Sequence, residues 1–334
     1  MKITAASFGP YVQELLGSLR VPPIDRLQSE RPGVMRGVDY YGQYLPRVMM
    51  ISVKKYYEYK ERVPDHPLEC DTFLDKLFWS KFFTPMPIPT PADKLMIGEF
   101  IPRELENRVR PAKVYWSSAE PDIPRSIQGQ DATYFLKTNN GWRSSKRIEY
   151  PIGESELVQL RKLGADWLTK TSHNLGGGEW WYSTIEPLIY IEEDLTRGGE
   201  CGSEYKFQCA GGRVLYIFEE KFVSDEKVGG YENITLFDDK FEWLPDVQFL
   251  DVNNEKASKP ANATQMLEVV GVIAKQFDSV RVDLYCSREG ELILGELTLC
   301  DSEGITAFDS MSFDQACGVH WDFRQYFLSD GSVN

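Results

Sequence analysis

With 334 residues, 42% of them hydrophobic and 13% aromatic, the chain has the composition of a folded protein with room for about two domains. A formal net charge of −14 argues against a nucleic-acid backbone or an anionic membrane surface as main partner, because both reward excess Lys and Arg. No run of about 18 apolar residues occurs, and the opening MKITAASFGPYVQELLGSLR lacks the continuous apolar core of a signal peptide, so a cytoplasmic protein without membrane insertion is expected.

Six scattered cysteines without CxxC spacing read as free thiols in a reducing compartment. Three histidines without HExxH or HxxxH spacing make a zinc site a poor expectation.

Residues 1–91 mix short helical pieces with proline breaks, and the run Thr84-Pro85-Met86-Pro87-Ile88-Pro89-Thr90-Pro91 reads as a linker, since each proline removes a donor. Residues 92–107 resemble a helix start with an acidic first turn at Asp93. Thr133 to Lys137 reads as a short strand. Residues 155–170 place Leu157, Leu160, Leu163 and Trp167 at helical spacing, predicting an amphipathic helix.

A strand from Pro187 to Ile191 then runs into Glu192-Glu193-Asp194-Leu195. A hairpin follows, Glu204 to Cys209 and Arg213 to Phe218, turning at Gly211-Gly212. Residues 263–277 read as a helix with Thr264 as N-cap. This order of strands, hairpins and helices predicts an α+β fold with antiparallel sheets rather than a doubly wound one. The expected division is 1–91, 92–195 and 196–334.

The last hairpin carries the most chemistry. Ser279 to Cys286 and Glu291 to Thr298 alternate across an Arg288-Glu289-Gly290 turn. With Glu289-Gly290 as a two-residue loop, Asp283 falls opposite Glu296 and Arg281 opposite Thr298. Two ionised carboxylates with Cβ atoms about 5 Å apart repel unless a cation lies between them. Oxygen ligands of this kind suit Mg²⁺, with Arg281 two residues away for phosphate. The plainer alternative is a pair of solvated acids on an exposed face. P-loop, dinucleotide-binding, protein-kinase and GxSxG signatures are all absent.

Between Lys94 and Thr298 the order of motifs resembles the ATP-grasp superfamily, in particular its teichuronopeptide-biosynthesis (TupA-like) branch. The pieces are Asp93-Lys94, Phe135-Leu136-Lys137, Gly178-Glu179-Trp180, Ile191 to Leu195, Glu204 to Phe207, Arg281-Val282-Asp283 and Gly295 to Thr298. The resemblance implies two antiparallel-sheet subdomains gripping ATP. Lys94 and Lys137 would hold the α- and β-phosphates.

The loop with Asn140, Gly141 and Ser144 would close over the phosphates, although Trp142 and Arg143 depart from the glycine-rich pattern. Glu192, Glu193 and the amide of Leu195 would form the adenine hinge. Lys206 would face the phosphates. Asp283 and Glu296 would hold Mg²⁺, with Thr298 where many relatives carry asparagine, and Arg281 would stabilise charge on the transferred group. Trp180-Trp181 is either a sugar-stacking platform or core.

The implied activity is an ATP- and Mg²⁺-dependent ligase. It would convert a small-molecule or glycan carboxylate to an acylphosphate and join it to an amine acceptor, in cell-surface polysaccharide assembly. A kinase acting on a sugar hydroxyl and a non-catalytic glycan-binding scaffold are the rivals.

Overall fold

The computed structural model describes residues 7–127, 132–140, 144–169, 177–196, 201–221, 233–248, 253–254, 256–306 and 308–329. Helices α1 (Phe8–Ser18), α2 (Ile24–Glu30), α3 (Gly37–Tyr41), α4 (Leu45–Lys60) and α5 (Phe73–Phe83) lead the chain. In α4 the buried residues Leu45, Val48, Met49, Ser52, Val53 and Tyr56 recur at helical spacing on one face. α5 is buried at every position, with the Thr72 side chain capping it by accepting from Asp75 N. Its charges are therefore satisfied internally. Lys76 donates to the carbonyls of Gly318 (2.7 Å) and Trp321 (2.8 Å), and Lys81 donates to that of Glu303 (2.6 Å).

The proline-rich run is not a linker. Strand β2 (Met86–Pro87) pairs antiparallel with β1 (Val34–Met35), Ile88 N donates to Gly33 O at 2.7 Å, and Thr84, Met86 and Thr90 are buried. Proline bars a helix but not an extended strap packed on a core, and it was the burial that the composition concealed. Residues 92–107 also differ from expectation. In place of an α-helix there are turns and two 3-10 segments, Ile97–Phe100 and Arg103–Leu105, because Asp93 accepts from Leu95 N two residues on while Lys94 N donates to Asn139 O. A local side-chain turn has displaced the helix start.

The smaller sheet has the order β4 (Val114–Ser118), β7 (Ile189–Glu193), β5 (Thr133–Thr138) and β6 (Ser145–Glu149), antiparallel throughout. Helix α6 (Glu154–Thr169) covers it, burying Leu157, Leu160 and Trp167 in a separate core with Leu136, Ile148, Ile189 and Ile191. The larger sheet runs β11 (Asn253–Asn254), β10 (Asn233–Phe237), β9 (Arg213–Lys221), β8 (Cys201–Ala210), β12 (Ser279–Ser287), β13 (Leu292–Thr298) and β3 (Val109–Pro111). Only its two edge pairings, β10 with β11 and β13 with β3, are parallel. The β8–β9 hairpin turns at Gly211-Gly212 as expected, both with positive φ.

Helix α7 (Ala263–Ala274) packs on one face of this sheet, burying Met266, Val269, Val270 and Ile273. Its N-cap is Asn262 rather than Thr264, and it stops at Ala274. Period-2 alternation puts Phe207, Cys209, Val280, Val282, Leu284 and Leu297 into that core. Lys206, Gln208, Arg281, Asp283, Glu296 and Thr298 consequently take the opposite face. One apolar core joins the large sheet to the N-terminal helices, from Phe8 to Phe327. The α+β class with antiparallel sheets is as the sequence predicts. Among the described residues no helix is long and apolar enough to cross a membrane.

Candidate active site

The β12–β13 register sets the centre of the site. Asp283 lies opposite Glu296 and Arg281 opposite Thr298, as predicted, but the loop is not the two-residue turn that led to this pairing. Ser287 N donates to Glu291 O and Gly290 N to Ser287 O, both at 2.9 Å, which leaves Arg288, Glu289 and Gly290 in the loop. Leu284 then pairs with Leu294, and a bulge at Gly295 restores the expected frame. Two deviations cancel. Glycine is required at the bulge, since a Cβ there would come within 2.5 Å of the Tyr285 ring.

Across β8, β12 and β13 two rows of polar residues share one face: Lys206, Asp283 and Glu296, and beside them Gln208, Arg281 and Thr298. The two carboxylates do not face each other unscreened. Arg281 forks Asp283 with Nε and Nη2 at 2.8 and 2.7 Å, while its Nη1 reaches Asp301. Lys94 Nζ donates to Glu296 Oε1 at 2.9 Å. Lys206 Nζ lies 2.7 Å from Glu220 Oε2 and 3.3 Å from Glu204 Oε2. The solvated-acid alternative is thereby excluded: Asp283 is 1% exposed.

Burial pushes the Asp283 carboxyl up to about 6, against the pull of Arg281 and Lys206. Burial acts the same way on Glu296, but Lys94 and Arg281 outweigh it and hold that carboxyl down at about 2. Burial opposes the charge on Lys206, yet Glu204 and Asp283 keep its ammonium well above the ordinary lysine range. The large sheet therefore presents a desolvated, mutually compensated set of charges.

From the small sheet, Lys137 ends the apolar run of β5 and its ammonium contacts Glu192 of β7. Burial lowers the Lys137 pKa, but Glu192 outweighs it, with Glu204 and Glu296 of the large sheet adding to the pull. The charged groups of the two sheets therefore act on one another, and Lys94, bonded to Glu296, lies at their junction. Asn139, at the start of the expected phosphate loop, ties that junction. Its side chain donates to Asp93 Oδ1 (3.1 Å) and Glu186 O (3.0 Å) and accepts from Leu188 N (2.8 Å), which fixes the turn that carries Lys94. Asn140 is buried and Ser144 O accepts from Thr138 N at 3.2 Å, whereas Gly141, Trp142 and Arg143 lie outside the described residues.

The acidic tetrad is not a surface turn. Glu193 accepts from Lys113 N (2.7 Å) and contacts Arg110, so its carboxylate is engaged away from Lys137. Asp194 accepts from Arg147 Nε (2.6 Å) and the Thr196 hydroxyl (2.7 Å). Leu195 is buried against Cys201 and Ile293, and its carbonyl accepts from Cys201 N at 2.9 Å. Trp180 and Trp181 are each 1% exposed, so they are core and not a stacking platform. Asp301, on the segment after β13, is the clearest omission from the sequence reading. Its one visible signal was proximity in the chain to the Glu296–Thr298 strand end.

Among the described residues no group of three or more His, Cys, Asp or Glu forms a metal cage. The hydroxyl of Thr298 and the Oε1 of Gln208 are nevertheless buried on the polar face without a hydrogen-bond partner among the described residues. Buried polar atoms of this kind call for a bound group to satisfy them.

The family model for TupA-like ATPgrasp proteins matches residues 135–321, more than half of the chain. The chain belongs to this family. No curated protein matches it significantly. Among solved structures, the ATP-grasp ligase PsnB complexed with a minimal precursor is 10% identical, covering 69% of this chain and 59% of that one at TM-score 0.37. VanG D-Ala:D-Ser ligase from Enterococcus faecalis is 14% identical over 71% and 59% of the two chains, at TM-score 0.38. The L-amino acid ligase from Bacillus licheniformis is 14% identical over 64% and 44%, at 0.35. The chain thus spans less than two thirds of the length of each. Within the TupA-like match lie Lys137, Lys206, Arg281, Asp283, Glu296 and Thr298. Lys94 and the N-terminal helices precede it.

Proposed function

We propose that this TupA-like ATP-grasp protein is an ATP- and Mg²⁺-dependent ligase that activates a carboxylate as an acylphosphate and joins it to an amine. One observation carries the reading: Lys137 of the small sheet and Lys206, Arg281, Asp283 and Glu296 of the large sheet converge on one desolvated cleft, although they come from separate cores. We read 92–195 and 196–334 as the two halves of that grip, with residues 1–91 packed on the second.

In this reading Lys94, Lys137 and Lys206 neutralise the ATP phosphates. Arg281, held in a fixed orientation by Asp283 and Asp301, meets the charge that develops on the transferred phosphoryl group. Asn140 and Ser144 flank the phosphates, and Glu192, Glu193 and Leu195 border the adenine. Mg²⁺ is commonly held by one or two carboxylates plus phosphate oxygens, so the lack of a full protein cage fits it. Asp283 and Glu296 would hold the ion with Thr298 beside them, and the ion would supply neutralisation of phosphate charge.

The amide bond needs no protein nucleophile; positioning and electrostatics suffice. Membership of the TupA-like family supports a cytoplasmic step in cell-surface polymer assembly, with an amino acid or uronic acid as carboxylate. The test is ADP release screened against L-amino acids and D-glucuronate, with and without primary amines, using carboxylate labelled with ¹⁸O. A ligase transfers one labelled oxygen to phosphate. ADP release that needs only a sugar hydroxyl and moves no label would assign a kinase instead, and no release with any acceptor would contradict catalysis.

A further inference from the structure

Glu179 has no part in the cleft chemistry so far, yet it stands at its border on a locked segment. Gly178 has φ +83°, and a Cβ there would lie 3.0 Å from the Phe82 ring of α5. A Cβ on Gly177 would meet the Glu303 carboxylate at 2.8 Å, so that carboxylate packs directly on this backbone. Trp180 Nε1 donates to Lys81 O at 3.0 Å, and its ring stacks on Tyr40 with centroids 5.2 Å apart. The Glu179 backbone is thus fixed from both sides by α3 and α5.

Its charged neighbours are already engaged. Lys55 donates to both oxygens of Glu303 at 2.6 and 2.7 Å, buried Lys81 donates to the Glu303 carbonyl, and Asp301 holds Arg281. Among the described residues no hydrogen bond or ion pair reaches the Glu179 carboxylate itself. It is only partly exposed, and its segment borders the reaction centre: Glu303, whose carboxylate packs on Gly177, follows closely on Asp301, which accepts from Arg281. A rigidly placed acid that no cation among the described residues pairs with, beside a cleft that would hold a reactive acyl group, is suited to a positively charged substrate group.

We propose that Glu179 receives the ammonium group of the amine substrate and takes one proton from it, with α3, α4 and α5 forming the wall of the acceptor site. The inference rests on the ligase reading above. An amine at neutral pH arrives protonated and cannot attack until one proton leaves. Glu179 accepts that proton. The free amine then forms the C–N bond as the bond from the acyl carbon to the phosphate oxygen breaks. The second nitrogen proton leaves with the phosphate, and Glu179 returns its own to water. Burial raises the Glu179 carboxyl to about 8 against the pull of Lys81, with Glu303 and Asp301 adding to the rise, and an ammonium docked beside it favours the ionised form that accepts the proton. A base near the working pH is the effective kind. The N-terminal helices, which lie outside the family match, thereby gain a task.

Hydroxylamine separates the two half-reactions, because it is largely uncharged at neutral pH and captures acylphosphates without a base. With the carboxylate of the L-amino acid and D-glucuronate panel that the parent uses, Glu179→Gln should form hydroxamate within about 3-fold of the parent but lose amide formation with L-alaninamide by about 100-fold or more. Glu179→Asp should fall between them. Unchanged amide formation in Glu179→Gln, or equal loss of both products, would overturn the proposal. Failure of both variants to fold would assign Glu179 a structural role and overturn it too. A parent that makes no hydroxamate with any carboxylate would instead refute the ligase reading on which the proposal rests.

Discussion

The two sheets hold their charges in different ways. On the large sheet Arg281 and Lys206 find their partners on the same sheet or on the segment after it: Arg281 with Asp283 and Asp301, Lys206 with Glu204 and Glu220. That face is anchored in a core shared with the N-terminal helices. The small sheet has its own, smaller core and holds Lys137 with Glu192 and, at its edge, Arg147 with Asp194. Between the sheets runs the Lys94 to Glu296 contact, together with the Asn139 post. The large sheet therefore fixes the electrostatics of the cleft, and the small sheet brings a cation to it.

That contrast can be broken first at Arg281. Replacing it with Met strands two carboxylates, one of them fully buried, so Arg281→Met should cost about 3 to 5 kcal/mol in denaturant-unfolding measurements near neutral pH. The loss should shrink as pH falls toward about 6, because without Arg281 the buried Asp283 carboxyl takes up its proton at a higher pH than in the parent. A loss under about 1 kcal/mol would show that the large sheet does not depend on this fork.

Glu296 gives the opposite sign. Its carboxyl is held at about 2, below the ordinary value of 4.5, so it stabilises the fold above that ordinary value and the contribution fades as pH falls toward 2. The parent should lose up to about 3 kcal/mol over that window that Glu296→Gln does not lose. Parallel stability curves for the two proteins would remove Lys94 and Glu296 as the link between the sheets.

Gly295→Ala is a smaller and sharper probe. The added methyl must displace the Tyr285 ring or undo the bulge, at about 1 to 2 kcal/mol, and undoing it would slip Glu296 out of line with Asp283. Turnover should fall more than stability does. If stability and turnover were both unaffected, the bulge would not be what sets the register.

The contrast also explains what could be read in advance. On the large sheet, alternation along β8 and β12 was enough to put Lys206, Arg281 and Asp283 on one face, because a strand covered by a helix on one side has no choice of face. The Asp283 and Glu296 pairing was legible too, but through two compensating departures, a longer loop and a bulge, neither visible in the residue pattern. The strand at Val109–Pro111 carries two residues that resist pairing rules, Arg110 and Pro111, and it becomes a strand only because β13 offers a parallel edge. Residues 84–101 were misread for a related reason. Their prolines and Asp93 speak about local backbone, whereas tertiary contacts to Gly33 and Asn139 decide the shape. Asp301 was invisible as a site residue, since only the folded chain brings it beside Arg281, and Glu179 was visible only as part of the Gly178-Glu179-Trp180 motif, without a role.

The account turns on whether both sheets grip one nucleotide, and the melting temperature with MgATP asks this directly. At about 100 times its dissociation constant MgATP should stabilise the parent by about 3 kcal/mol, a shift of several degrees. Lys137→Met on the small sheet and Lys206→Met on the large sheet should each weaken nucleotide binding by about 1.5 to 3 kcal/mol, and so reduce that shift. No shift in the parent, or an undiminished shift in both variants, would contradict a nucleotide held between the two sheets.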